Sequence, residues 1–233
     1  MCYRRRHVID VAELGERPTS LQQVKVVERS TSLRRKIDAW IEVQHLYMPA
    51  TALLRARADR EGGGQPPAVQ NIELFLPSET LGVCACDHHL FKYEWQFRYA
   101  QAEASLDDLR GLLLMRSMLY KSKDRYSRGQ RQQTRSNTLL KRLEARIRHT
   151  STKYRNIREA LVALSVPLQE VSWTKILQVL NDSDIAGLTS MDDTGSEGRK
   201  KLTWIWNVQG TAADTDENTQ ASAFLFSFST TLG

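Results

Sequence analysis

The sequence predicts an all-α chain built around a long antiparallel, coiled-coil-like helical hairpin, packed with an N-terminal helix and a short C-terminal helix. Three observations carry that expectation. Phe91, Trp95, Tyr99, Ala102, Leu106, Leu109 and Leu113 recur at alternating steps of four and three, and Leu112, Met115 and Leu119 widen the stripe. Leu140, Leu143, Ile147, Thr150, Tyr154, Ile157, Leu161 and Leu164 form a heptad seam with one polar interruption. Between them Ser127, Arg128 and Gly129 supply a short reversal, the loop length that makes neighbouring helices antiparallel.

The elements follow in order. Residues 1–18, with Arg4, Arg5 and Arg6 and no apolar repeat, read as a flexible basic N-terminus. Within 19–61, Leu33, Ile37, Trp40, Ile41, Gln44 and Met48 share one helical face. Pro49 is expected to end that helix near Tyr47, because proline lacks the backbone donor and clashes with the preceding turn; Ala50 to Arg60 then resumes it. Gly62, Gly63, Gly64, Pro66 and Pro67 open a linker, taken as 62–86. The hairpin spans 87–165. Residues 166–210 hold a short helix started at Pro167 and capped by Ser165, carrying Trp173, Ile176, Leu177 and Leu180, then an acidic loop and the apolar patch around Trp204, Ile205 and Trp206. The polar run after Gly210 makes 211–233 a disordered tail by composition.

Charge narrows the function classes. Over 233 residues, 33 Lys and Arg exceed 27 Asp and Glu, a formal +6, but residues 110–158 alone hold fifteen basic side chains against Asp124 and Glu144. Residues 181–220 lean acidic. Three cysteines fit a reducing, intracellular setting better than a disulfide framework. No run of about 18 uninterrupted apolar residues exists, so no membrane partner is expected.

Catalytic and cofactor chemistry has no positive signal. Cys84, Cys86, His88 and His89 are the one local set with zinc-donor chemistry, but Cys-x-Cys with adjacent histidines lacks the spacing that lets four donors reach one tetrahedral ion, so they read as a loop entering the long helix. Asp182 with Asp184, Asp192 with Asp193, and Asp214 with Asp216 lie in stretches without rigid support and read as solvated carboxylates. No nucleophile elbow and no glycine-rich phosphate loop is present. No cofactor is expected. The tip of the hairpin remains: Lys121, Lys123, Arg125, Tyr126, Arg128, Arg131, Arg135, Lys141 and Arg142 combine phosphate-binding charge with an aromatic ring for stacking, as a DNA contact requires. The rival reading is a structural or protein-interaction coiled coil, with homo-oligomers formed through the helical stripes and no DNA role.

Five motifs carry a family resemblance: WIEVQHLYMP (Trp40 to Pro49), ELFLPS (Glu73 to Ser78), RGLLLMRSMLYKSKDRYSRGQRQQTRS (Arg110 to Ser136), KYRNIREALVALS (Lys153 to Ser165) and GSEGRKKLTWIWNVQG (Gly195 to Gly210). Together, over about 37–210, they resemble the C-terminal helical region of fungal Kyakuja-Dileera-Zisupton transposases. The resemblance implies descent from a transposable-element protein whose intact members cut and join DNA with a metal-dependent acidic triad in an upstream ribonuclease-H-like core. No carboxylate here matches that triad. Family members continue past the WIW motif into another long helix, whereas this chain ends in QASAFLFSFSTTLG. The expectation is therefore a truncated, non-catalytic helical fragment that contacts DNA or assists transposase assembly, nuclear where it acts on DNA, with a transposon remnant lacking any role as the alternative.

Overall fold

The computed structural model describes residues 2–15, 17–62, 67–126, 130–186 and 203–207, leaving aside the side chains of 2, 124–126, 131 and 132. Among the described residues five α-helices run in order: α1 Cys2–Ala12, α2 Ser20–Tyr47, α3 Thr51–Glu61, α4 His88–Tyr126 and α5 Gln130–Leu168. No strand occurs among the described residues. The chain divides into two compact units, 1–94 and 95–233, with the boundary inside α4.

In the first unit, α2 begins where its sequence supplies a complete N-cap. The Gln22 N–H donates to Thr19 Oγ1 at 3.3 Å and the Thr19 N–H donates to Gln22 Oε1 at 2.9 Å, so two donors that open every helix find reciprocal partners. Pro49 separates α2 from α3 as expected, and Thr51 restarts the helix with its hydroxyl on the Met48 carbonyl at 2.7 Å.

The N-terminus expected to be a flexible basic segment over 1–18 instead holds a helix at residues 2–12, α1. Its inward positions are His7 and Asp10, both buried, so no apolar repeat announces it. Asp10 pairs with Arg29 of α2 and with Arg6 one turn away. Residues 67–87 correct the linker expectation. They contain a 3₁₀ turn at Val69–Asn71, and Pro77 and Thr80 are buried. The ELFLPS backbone is held by the WIEVQHLYMP helix: Gln44 donates to the carbonyls of Leu74 (3.0 Å) and Phe75 (2.6 Å), and Trp40 Nε1 donates to Leu74 (3.2 Å). Arg55 donates to the Glu73 carbonyl at 3.0 Å and stacks 5.0 Å from the Phe75 ring. This grip retains Phe75 at φ +50°, a left-handed conformation costly for a residue with a Cβ. Residues 63–66 of the linker lie outside the described residues.

In the second unit the two long helices pack as the expected hairpin. Every member of the Leu140 to Leu164 seam is buried, Thr150 included, and Ala102, Leu106, Leu109 and Leu113 of α4 join Leu143, Ile147, Tyr154, Ile157 and Leu161 of α5 in one core. Each leucine or isoleucine so buried contributes about 1.5–3 kcal/mol before conformational entropy is counted. The buried serines cause no deficit, since Ser117 and Ser151 donate to the carbonyls one turn back, Leu113 and Ile147. The reversal at 127–129 lies outside the described residues.

The segment after the hairpin departs from expectation in three ways. α5 continues through Pro167 to Leu168 and ends where Gln169 takes φ +55° and the Glu170 N–H reaches the Ser165 carbonyl at 3.2 Å, a Schellman closure. Ser165 caps nothing; its hydroxyl donates to Leu161 at 2.6 Å and accepts from Trp173 Nε1 at 2.8 Å. In place of a short α-helix, Ser172–Lys175 form one 3₁₀ turn and the chain then runs as a largely irregular strap to Ala186, with a second 3₁₀ turn at Asp182–Asp184. Trp173, Leu177 and Leu180 still reach the core from that strap, whereas Ile176 is exposed.

Candidate nucleic-acid interface

A basic hairpin can spend its cations in two ways, on its own fold or on a partner, and the structure divides them. Arg155 Nε donates to the Leu180 carbonyl at 2.9 Å and Arg158 Nε to the Leu177 carbonyl at 3.1 Å. Tyr154 Oη donates to Gln178 at 2.7 Å between them. Arg158 also lies 5.6 Å from the Trp173 ring. On the facing helix Arg116 donates to the Ile185 carbonyl at 3.1 Å, and Arg110 Nε to the Ile205 carbonyl at 2.7 Å. These carbonyls belong to irregular backbone lying on the core, where an unpaired acceptor is expensive. The guanidinium fork suits the task because its stem packs on apolar surface while its head reaches out to the backbone.

The WIW patch is part of the same arrangement. Trp204, Ile205 and Trp206 form a 3₁₀ turn with Ile205 fully buried. Trp204 lies 6.1 Å from the Tyr154 ring, and Trp206 Nε1 donates to the Ala186 carbonyl at 3.2 Å. Burial pushes the Tyr154 hydroxyl well above the ordinary phenol range, although Arg158 opposes the shift. Arg110, Arg116, Arg155 and Arg158 thus leave the set of fifteen basic residues available to a partner.

The remaining cations concentrate on α5. Between Gln130 and Arg158 its only carboxylate is Glu144, which pairs with Arg116 at 3.5 Å. Arg135, Lys141 and Arg142 are exposed. Arg146 and Arg148, counted among the fifteen basic residues but not among the nine expected contacts, are exposed too; Arg135 and Arg142, like Lys141 and Arg148, are seven residues apart. Seven residues are two turns and about 10 Å of helix, so Arg135, Arg142 and Arg146 follow one flank of the buried seam while Lys141 and Arg148 follow the other. On α4, Lys121 is exposed and Lys123 half-buried. The side chains of Arg125, Tyr126 and Arg131, and all of Arg128, lie outside the described residues.

The other candidates are placed apart from this surface. Among the described residues no three His, Cys, Asp or Glu side chains gather where they would share a metal ion. Cys84 and Cys86 are half-buried free thiols ahead of His88 and His89 at the start of α4. Burial, then Asp87, Cys84 and Glu94, push the Cys86 thiol up to about 11, so at neutral pH it carries its proton and is a poor nucleophile. Asp182 pairs with Arg155 at 2.5 Å, and Asp184 accepts from the Asn181 N–H at 2.8 Å to cap the turn, so both serve the strap. Asp192, Asp193, Asp214 and Asp216 lie outside the described residues.

Among the described residues no helix is long and apolar enough to cross a membrane. No protein-family model, no curated protein and no solved structure matches the chain.

Proposed function

We propose that this chain binds the phosphate backbone of DNA through the exposed basic surface of α5, without catalysing strand cleavage. The observation that carries the reading is the charge of that helix: five exposed cations, Arg135, Lys141, Arg142, Arg146 and Arg148, along a stretch whose one carboxylate is already engaged by Arg116. Clustered cations of this kind release condensed counterions from nucleic acid and give affinity without base readout. The five sequence motifs support descent from the helical region of a Kyakuja-Dileera-Zisupton transposase, and with it action in the nucleus. They do not supply the acidic triad, and the two described carboxylates that could have been enlisted for metal chemistry hold the strap instead.

Titration of the purified chain with a generic DNA duplex at two salt concentrations tests this. Five phosphate contacts predict a log–log slope of about −4.5 against salt. Binding that is absent at low salt, or indifferent to salt, contradicts phosphate contact. Nicking of the duplex on addition of magnesium or manganese contradicts the non-catalytic half of the proposal.

A further inference from the structure

Thr138 stands among the cations of α5. Its neighbours on the helix surface, three and four residues to either side, are Thr134, Arg135, Lys141 and Arg142. At the turn of an α-helix, Arg135 and Arg142 lie about 60° and about 40° to one side of Thr138 and Lys141 about 60° to the other, so the hydroxyl falls between the two flanking rows. All five residues are exposed, and the Thr138 hydroxyl donates to the Thr134 carbonyl one turn back at 2.9 Å. The nearest carboxylate on α5 is Glu144, almost two turns away and engaged by Arg116.

The same end of the helix is open to an enzyme. Among the described side chains from 130 to 139 none is buried, and the core begins at Leu140. A helix end without buried contacts unwinds at low cost, and a protein kinase takes its acceptor in extended chain. Arg135 precedes Thr138 by three residues, the spacing that arginine-directed kinases read. Ser151 follows Arg148 at the same spacing but is 1% exposed and donates to Ile147, which closes it to such an enzyme.

We propose that Thr138 is a phosphorylation site whose phosphate shuts off the basic surface of α5, an inference that rests on the DNA reading above. The γ-phosphoryl group of magnesium ATP passes to Thr138 Oγ1: the new O–P bond forms as the bond to ADP breaks, and the hydroxyl proton goes to the kinase's catalytic carboxylate. The product carries a charge of about −1.5 to −2 between Arg135, Lys141 and Arg142 and takes charge-assisted hydrogen bonds from them, where DNA phosphates would otherwise be held. Because those pairs run at three and four residues along the helix, they support it rather than melt it.

The full chain is to be treated with magnesium ATP and the catalytic domain of a calmodulin-dependent protein kinase. Peptide mapping then reads the acceptors, since Arg17 and Arg29 precede Ser20 and Ser32 at the same spacing. The expected result is phosphate on Thr138 and a salt slope for duplex binding that falls from about −4.5 to about −2, as two of the five cations remain. Helicity by circular dichroism is expected to hold, and Thr138→Ala to keep the parent slope before and after treatment. A chain synthesised with phosphothreonine at 138 reads the effect on binding without an enzyme. No phosphate on Thr138, an unchanged slope with phosphate there, lost helicity, or a slope that falls equally in treated Thr138→Ala overturns the proposal. An untreated parent chain that does not bind the duplex overturns the DNA reading itself, and this inference with it.

Discussion

Arg110 donates from Nε to the carbonyl of Ile205 at 2.7 Å, tying the middle of α4 to a turn 95 residues further along the chain. Three more arginines repeat the device: Arg116 on Ile185, Arg158 on Leu177 and Arg155 on Leu180. A two-helix hairpin leaves its core open along one side, and the strap closes it with Trp173, Leu177 and Leu180, joined by Ile205 of the Trp204–Trp206 turn. Irregular backbone laid over apolar side chains needs donors for its carbonyls, and long cationic side chains rising from the helices supply them.

Replacing Arg110 by methionine keeps most of the stem and removes the donor. The Ile205 carbonyl is then left without that partner, and stability is expected to fall by about 1–3 kcal/mol. Urea unfolding reads this as a lower midpoint at constant slope. An unchanged midpoint would show that the clamp is dispensable.

Gln44 plays the equivalent part in the first unit, donating to Leu74 and Phe75 and accepting from Arg55. Gln44→Ala is expected to destabilise by about 1–3 kcal/mol and to open the loop to proteolysis near Phe75. Protease resistance equal to that of the parent chain refutes the assignment.

Gln169 closes α5 at φ +55° with an exposed side chain. Gln169→Gly removes the clash of Cβ with the backbone in that conformation and is expected to stabilise the chain by about 0.5–1 kcal/mol, after the greater freedom of glycine in the unfolded state is counted. A lowered thermal midpoint would mean that the turn is not left-handed.

Cys86 is held protonated by burial and by neighbouring carboxylates, its thiol pushed up to about 11. Its thiol keeps its proton more tightly in the folded chain than in the unfolded one, so its contribution to stability is present below the ordinary thiol value and is lost as pH rises towards 11. Alkylation at pH 8 is expected to be about tenfold slower in the folded chain than in urea, since the small thiolate fraction is partly offset by its greater nucleophilicity. Equal rates contradict the shift.

Most of the helical frame was legible because apolar spacing encodes it. The whole Leu140 to Leu164 seam is buried, and the break between α2 and α3 falls at Pro49. α1 was not legible because the residues it buries, His7 and Asp10, are polar and held by ion pairing with α2. The strap was misread because Trp173, Leu177 and Leu180 have helical spacing. Its carbonyls are taken by Arg158, Tyr154 and Arg155, which serves an irregular chain better than a helix that satisfies itself. At the candidate interface, Arg135, Lys141 and Arg142 are exposed. Arg155 and Arg158 look the same in sequence, and only their place beside the buried Tyr154 and Ile157 separates a clamp from a surface cation.

That separation is the central claim, and one paired measurement tests it: duplex affinity and urea stability for two sets of substitutions to glutamine. Replacing Arg135, Lys141, Arg142 and Arg146 is expected to weaken binding and reduce the salt slope by about 3–4, with stability changed by less than about 1 kcal/mol. Replacing Arg155 and Arg158 is expected to do the reverse, lowering stability by about 1–3 kcal/mol per lost donor while the folded protein keeps its salt slope. Full binding by the first variant, or a lost slope in the folded second one, contradicts the division of the hairpin's charge into a clamp and an interface.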